Sequence, residues 1–264
     1  MIKIFVTGAS GNVGTTIVRT VQGREDFALV GGWCREAGSD LGELAGIGRI
    51  GVVASATLEE GLDATKPDVA IDFSITPLLP RNLRAYLDRN LDVVVGTTGL
   101  TDEQLAPYKK EVLERGLRWT AIANYGLGIA LVADFVRHVR KYYPYVSIVD
   151  RHTNDMANAP SGTAVILARA AGGGEPGPVA SVETYPGVMG ARIHGAQVLS
   201  QRMPFPGPYS EHEVVLARKD EIVRISVEDH TSDIYMDGVF LAAKKLKASP
   251  AGTFCTDLSE IVGG

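Results

Sequence analysis

Over the first 125 residues, short apolar runs alternate with stretches whose apolar positions recur at helical spacing. Residues 2–6, 27–33, 69–73, 93–95 and 119–123 read as strands, with a shorter one at 52–54. Residues 15–21, 81–89 and 102–115 read as helices between them, and the glycine-rich 39–51 as a loop. Strands that are apolar throughout, rather than on alternate residues, are buried on both faces, so this half predicts a parallel sheet covered by helices. A long amphipathic helix follows at 127–142, and then the texture changes. Strand-like segments at 145–149, 182–185, 197–202, 211–216 and 222–227 are separated mostly by Pro- and Gly-rich turns, with one helix at 163–171 and a flexible surface loop at 172–177. This second half predicts a mixed or antiparallel sheet. A last helix at 238–246 and a segment at 253–261 are expected to return to the first domain. The division anticipated is therefore 1–124 with 235–264, and 125–234.

Glycines punctuate the first half at a telling place. Gly8, Gly11 and Gly14 follow the first strand at once and lead into a helix. A glycine trio alone is weak, since tight turns also use glycine. The strand–loop–helix context is what makes it a dinucleotide site of the Rossmann type, with pyrophosphate on the helix N-terminus. The spacing is G-x-x-G-x-x-G rather than the commoner G-x-G-x-x-G. The second strand ends at Cys34 and Arg35, where an acidic residue would hold the ribose of NAD and an arginine suits the 2′-phosphate of NADP. Asp72, Phe73 and Ser74 end one further strand, and Gly96, Thr97, Thr98 and Gly99 follow another. All these segments fall beyond the carboxyl ends of parallel strands, where such sheets bind their ligands.

Composition narrows the picture only by exclusion. The 264 residues carry a net charge of −5 with ordinary apolar and charged fractions, which gives no footing for nucleic acid or a membrane surface. No apolar run approaches the length of a membrane span, and the N-terminus lacks a signal-peptide layout. Two cysteines, Cys34 and Cys255, make no disulfide framework, so a reducing cytoplasm is the expected location.

The second half holds its chemistry in residues 150–164. A polar stretch with His152, Asn154, Asp155 and Asn158 leads to Pro160, Ser161 and a helix start. Ser161 is a good N-cap, Gly162 permits close approach to the backbone, and the unpaired N–H groups at Ser161, Gly162 and Thr163 make a seat for a carboxylate. His152 would stand by as proton donor. A capped helix after a surface loop is the plain reading of the same residues.

Together, the glycine loop, Asp72-Phe73-Ser74, Gly96-Thr97-Thr98-Gly99, Ala123-Asn124-Tyr125 and Ala159-Pro160-Ser161-Gly162-Thr163-Ala164 resemble the 4-hydroxy-tetrahydrodipicolinate (dihydrodipicolinate) reductases of lysine biosynthesis over nearly the whole chain. The resemblance implies an α/β fold: a Rossmann-type dinucleotide-binding domain plus an α+β domain, with a mixed sheet, for substrate binding and oligomerisation. It implies a homotetramer, hinges near Asn124, and hydride transfer from NADPH, with NADH as the other cofactor, to a cyclic imine bearing carboxylates. Cofactor contacts would come from Gly8, Ser10, Gly11, Asn12, Val13, Arg35, Phe73, Gly96, Thr97, Thr98, Ala123, Asn124 and Tyr125. Substrate contacts would come from Thr153, Met156, Ser161, Gly162 and Thr163, with His152 as the acid. The chain departs from the family pattern where Thr153 replaces a second histidine, Met156 a lysine and Asn158 an aspartate. In the family the first histidine and the lysine serve as proton donors, and the second histidine helps to hold carboxylate. Two cationic groups are thereby missing from a pocket for a dianion, which points to the standard substrate or a relative of it. A dinucleotide-binding sensor or scaffold without catalysis is the alternative.

Overall fold

The computed structural model describes residues 1–154, 156, 158–172, 181–204 and 210–262. In chain order the strands are β1 (Ile2–Thr7), β2 (Phe27–Trp33), β3 (Ala54–Ser55), β4 (Val69–Asp72), β5 (Asp92–Val95), β6 (Arg118–Ala121), β7 (Tyr145–Thr153), β8 (Ala191–Ile193), β9 (Ala196–Met203), β10 (Ser210–Arg218), β11 (Glu221–Asp229) and β12 (Thr253–Cys255). The helices are α1 (Asn12–Val21), α2 (Leu41–Leu44), α3 (Leu58–Thr65), α4 (Leu79–Asp88), α5 (Asp102–Glu114), α6 (Leu127–Val139), α7 (Gly162–Ala170), α8 (Met236–Ala248) and α9 (Ser259–Val262). Two compact units result, Met1–Tyr125 with Tyr235–Gly264, and Gly126–Ile234.

The first unit is a parallel sheet in the order β12-β6-β5-β4-β1-β2-β3. The chain winds outward from β1 in one direction to β3, then from β4 in the other. That reversal between β1 and β4 opens a crevice beyond their carboxyl ends. The apolar runs are buried as expected: Val69, Ala70 and Ile71 are fully enclosed, as are Val93 and Val94. Tyr86 and Trp119 meet edge-on under this sheet, 6.4 Å between ring centres. Thr101 and Gln104 form a reciprocal capping box that starts α5. The segment 39–51 is more ordered than a plain loop. Asp40 caps α2, and its carboxylate also accepts the N–H groups of Ile50 and Gly51, closing the segment on itself.

The second unit is a mixed sheet, β11-β10-β7-β9-β8, in which only β7 and β9 run parallel among the described strands. Alternation along β7 and β10 puts Val146, Ile148, Val214 and Leu216 on one face, where they pack with Ile129, Val136 and Leu167 of α6 and α7. The opposite face carries Val149, Leu199 and Val215, half-buried, and Ile222, exposed.

Three expectations need correction. Residues 182–185 form no strand: Val182 and Tyr185 are exposed, and the Glu183 carboxylate instead accepts the N–H groups of Gly187 and Met189 to make a turn. The strand there is β8, joined to β9 by His194 and Gly195, both at positive φ, as a tight hairpin requires. Strand β7 does not stop at residue 149 but runs to Thr153, because its backbone pairs with β9 through Thr153 and with β10 through His152. His152 and Thr153 therefore stand on a rigid strand rather than in a loop. The short strand of the first unit lies at Ala54–Ser55 rather than 52–54. Asp155, and residues 173–177 of the anticipated loop, lie outside the described residues.

Candidate active site

In the first unit the glycine loop connects β1 to α1 across the crevice. Gly8 has φ +81°, and a Cβ there would collide with the Phe73 carbonyl; one at Gly14 would collide with the carbonyl of Gly8. Backbone packed against backbone cannot yield, so only glycine fits at either position. No side chain caps α1, whose N-cap is Gly11, and its first turn has no acidic residue. Its N-terminus is thus suited to a pyrophosphate. Ser10 is half-buried on this loop, while Asn12 is exposed and Val13 half-buried on the first turn of the helix.

The neighbouring loops are held by Asp72, buried without an ion-pair partner among the described residues. Its Oδ1 accepts from Ser74 N and Oγ, at 3.0 and 2.7 Å, and from Thr97 Oγ1 at 2.7 Å. Its Oδ2 accepts from Asn82 Nδ2 at 3.0 Å and from the Tyr86 hydroxyl at 2.7 Å. Burial, and then the Asp72 charge, push the Tyr86 phenol well above its ordinary pKa, so it stays a donor. The Asp72 backbone carbonyl takes the N–H groups of Gly96 and Thr97, and the Thr98 carbonyl accepts from Thr76. Phe73 packs on Tyr125, 5.8 Å between ring centres, and the Tyr125 hydroxyl donates to the Val95 carbonyl at 2.9 Å. Asn124 is buried beside Tyr125 and Ala123 is exposed. Arg35 is exposed at the tip of β2. Sequence reasoning missed Glu36 next to it. This carboxyl lies against Ser10, which holds it below the usual carboxylate range, and its Oε2 is enclosed with no partner among the described residues.

In the second unit the site is built around Asp150, fully buried on β7. Its Oδ2 accepts from Ser161 N at 2.9 Å and Ser200 Oγ at 3.0 Å, and lies 3.3 Å from Arg202 Nη2. Its Oδ1 faces His152 Nε2 at 2.9 Å and His212 Nε2 at 3.3 Å. Burial works to raise the Asp150 carboxyl, but His152, His212 and the Ser161 N–H overcome it and hold the group far below the usual carboxylate range. It is therefore a permanent anion at neutral pH. Ser161 caps α7, its Oγ accepting from Ala164 N at 3.1 Å, and the same Oγ lies 3.2 Å from His212 Nε2. Gly162 is exposed on the first turn, Thr163 is buried, and Met156 and Thr153 are half-buried. Met156 donates its N–H to the Thr153 carbonyl at 3.3 Å. Arg202 spans the start of this loop, giving one N–H to the Asn158 carbonyl at 2.5 Å.

One carboxylate thus joins His152 to the start of α7 at Ser161, Gly162 and Thr163, and the Ser161 N–H, expected to be unpaired, is taken by that carboxylate. The sequence reading gave Asp150 no role and passed over Ser200, Arg202 and His212. The period-2 alternation held the signal, since His212 shares its strand face with Val214 and Leu216. Asp150, His152 and His212 have ligand atoms within 4.8 Å of one another, as a metal site would. Arg202 already balances the carboxylate there, so a divalent ion would leave surplus positive charge in a buried site.

Family models match both units: "Dihydrodipicolinate reductase, N-terminus" over residues 2–124 and "Dihydrodipicolinate reductase, C-terminus" over 128–260. The 4-hydroxy-tetrahydrodipicolinate reductase of Moorella thermoacetica is 30% identical over 250 residues, 93% of each chain. That of Lactiplantibacillus plantarum is 31% identical over 252 residues, 93% of this chain and 95% of the other. Among solved structures, a dipicolinate-bound dihydrodipicolinate reductase from Paenisporosarcina sp. TG-14 superposes with a TM-score of 0.80 at 25% identity, covering 99% of both chains. An amine dehydrogenase from Mycobacterium smegmatis shares the fold, with a TM-score of 0.68 at 15% identity over 96% of this chain and 94% of that one. Among the described residues, no helix is long and apolar enough to cross a membrane.

Proposed function

Because the chain belongs to the dihydrodipicolinate reductase family, and so to the NAD(P)H-dependent oxidoreductases, we propose that it reduces a C=N bond, or a related unsaturated bond, in a small substrate carrying at least one carboxylate. One observation carries this reading: the two oxygens of Asp150 join His152 to the capped N-terminus of α7. The nicotinamide supplies a hydride. The Ser161 N–H is taken by Asp150, so the Gly162 and Thr163 N–H groups with the Ser161 hydroxyl hold the substrate carboxylate, and His152 delivers a proton to the nitrogen as the carbon takes the hydride. With its Nε2 turned to Asp150, His152 has Nδ1 left for the substrate, the arrangement by which a carboxylate orients a catalytic imidazole.

In the first unit, the glycine cradle, Ser10, Asn12 and Val13 take the pyrophosphate side. Phe73, Gly96, Thr97, Thr98, Ala123, Asn124 and Tyr125 line the nicotinamide side. Arg35, exposed and free to turn, favours the 2′-phosphate of NADPH, and Glu36 offers a ribose hydroxyl of NADH an acceptor. Met156 and Thr153 in place of cationic residues favour a substrate with less negative charge, or a larger apolar part, than the lysine-pathway intermediate. The sheet face bearing Val149, Leu199, Val215 and Ile222, turned away from α6 and α7, suits self-association into a homotetramer, and two unpaired cysteines suit a reducing cytoplasm.

The test is NADPH and NADH oxidation with a panel of cyclic imino acids. Turnover that falls at least a hundredfold in His152→Asn, on the order expected for a lost general acid, supports the reading. Tight cofactor binding with no imine reduced would make the protein a sensor.

A further inference from the structure

The geometry points to His212 as a positioning residue for His152: we propose that its Nε2–H, set between Asp150 and Ser161, fixes which nitrogen of His152 faces the substrate. This rests on the reading of His152 as proton donor. Asp150 Oδ2 has its donors, but among the described residues Oδ1, enclosed, has no aligned partner, and neither has His152 Nε2. Among the described residues the two imidazoles bring Nε2 within 2.9 and 3.3 Å of Oδ1, and a buried carboxylate oxygen calls for a donor, so at least one of them brings a proton to it.

The environment of His212 decides which. Its side chain is 1% exposed, and its Nδ1 is buried with no partner among the described residues. A bare nitrogen acceptor left unpaired costs less than a buried N–H left unpaired. The proton of His212 therefore sits on Nε2, which lies 3.3 Å from Asp150 Oδ1 and 3.2 Å from Ser161 Oγ. Ser161 can accept there while it also accepts from Ala164 N as the helix cap. The His212 N–H thus braces the carboxylate against rotation and ties it to the cap of the anion seat. Held so, Asp150 Oδ1 meets His152 edge-on to the His212 ring, the two imidazoles crossing at 78° with centres 5.3 Å apart. His152 then keeps Nε2 inward and Nδ1 outward. Arg202 acts on the other oxygen of Asp150, and Ser210, opposite His152 on β10, is taken by Asp229 at 2.7 Å, so neither substitutes for His212.

The experiment compares H212L with H212Q in the full-length protein. The glutamine amide reaches where Nε2–H stood; leucine fills the space and gives nothing. Two-bond nitrogen correlations of the His152 ring should report a proton on Nε2 in the native protein and in H212Q, and a mixture or Nδ1–H in H212L. Imine turnover should fall at least about tenfold in H212L and recover to within about threefold in H212Q, with the NADPH dissociation constant unchanged. If H212L does not fold, H212N replaces it, since its shorter amide stops short of Asp150. A His152 signal and turnover indifferent to these changes would overturn the assignment. So would stoichiometric zinc that co-purifies with the native protein and is lost in the variants, because the unpaired atoms would then be ligands. Should His152→Asn retain turnover, the proton-donor reading falls on its own, and the ring signals still decide the role of His212.

Discussion

Replacing Asp150 by asparagine is the most searching perturbation of the second unit. The amide keeps the shape but removes the charge and one acceptor oxygen. With Ser161 N, Ser200 Oγ and Arg202 on one side, the amide oxygen must take that side. Its NH₂ then points at His152 Nε2 and His212 Nε2, where Oδ1 stood. A donor in that place forces His152 to present a bare Nε2 and to carry its proton on Nδ1 even when neutral. The Nδ1 proton then belongs to a neutral imidazole, a far weaker acid than the imidazolium that a carboxylate can pair with, so most of the about 10²–10⁴ in rate that a general acid is worth should be lost. Stability should suffer less. Arg202 loses its carboxylate but is 19% exposed, so the loss belongs toward the low end of the roughly 3–5 kcal/mol for a broken buried pair. For a unit of about a hundred residues that is a melting shift on the order of 10 °C or more. Because the folded-state carboxyl is depressed, its contribution is present above the ordinary carboxylate value near pH ~4 and disappears as pH falls below it. Asp150→Asn should flatten that acid limb of the native stability profile. Steady-state imine reduction and thermal melts between pH 3 and 8, pH values chosen to bracket that limb, measure both effects. Wild-type turnover with a melting temperature unchanged at pH 7 would refute the reasoning, since a carboxylate with this many partners cannot be neutralised without consequence.

Other outcomes follow from single residues. Arg35→Ala should reduce the preference for NADPH over NADH by roughly ten- to hundredfold, one charge-assisted contact, and equal dissociation constants in the native protein would remove the premise. Gly162→Val should raise KM strongly and leave NADPH affinity alone; loss of the fold instead would make the segment structural only. Turnover of the standard lysine-pathway intermediate should be low in the native protein, since a thioether can donate no proton, and should recover in part when Met156→Lys is combined with Thr153→His. A native rate ordinary for a metabolic enzyme would show that the lysine is dispensable here.

The parallel sheet was legible because its strands are apolar without alternation, and the glycine loop because its context is local. Residues 182–185 misled for the same local reason. Val182 and Tyr185 have the right propensity, but Glu183 captures two N–H groups of its own segment, and the strand forms further on. The reach of β7 to Thr153 depends on partners 50 and 58 residues away, Arg202 and Ser210 opposite His152, so no local pattern could announce it. Asp150 was hidden likewise, whereas alternation with Val214 and Leu216 already put His212 on a buried face without showing what it would meet there. Asp150 looks like an ordinary polar residue until the ladder places it on the buried face beside His212.

The close approach of Tyr125 and Gly238 has an architectural consequence. A Cβ at Gly238 would collide with the Tyr125 carbonyl, so α8 begins pressed against the backbone at which the chain leaves the first unit. Departure and re-entry are adjacent, which makes Gly126–Ile234 an insert in a nearly complete nucleotide-binding fold. Closing such a gap costs little more entropy for a long insert than for a short one, because the cost grows only as the logarithm of length. The first unit is therefore indifferent to the size of what it carries. A chain in which a few glycines and serines replace the insert should still fold and hold a dinucleotide, and different second units could be exchanged at this junction without redesigning the first.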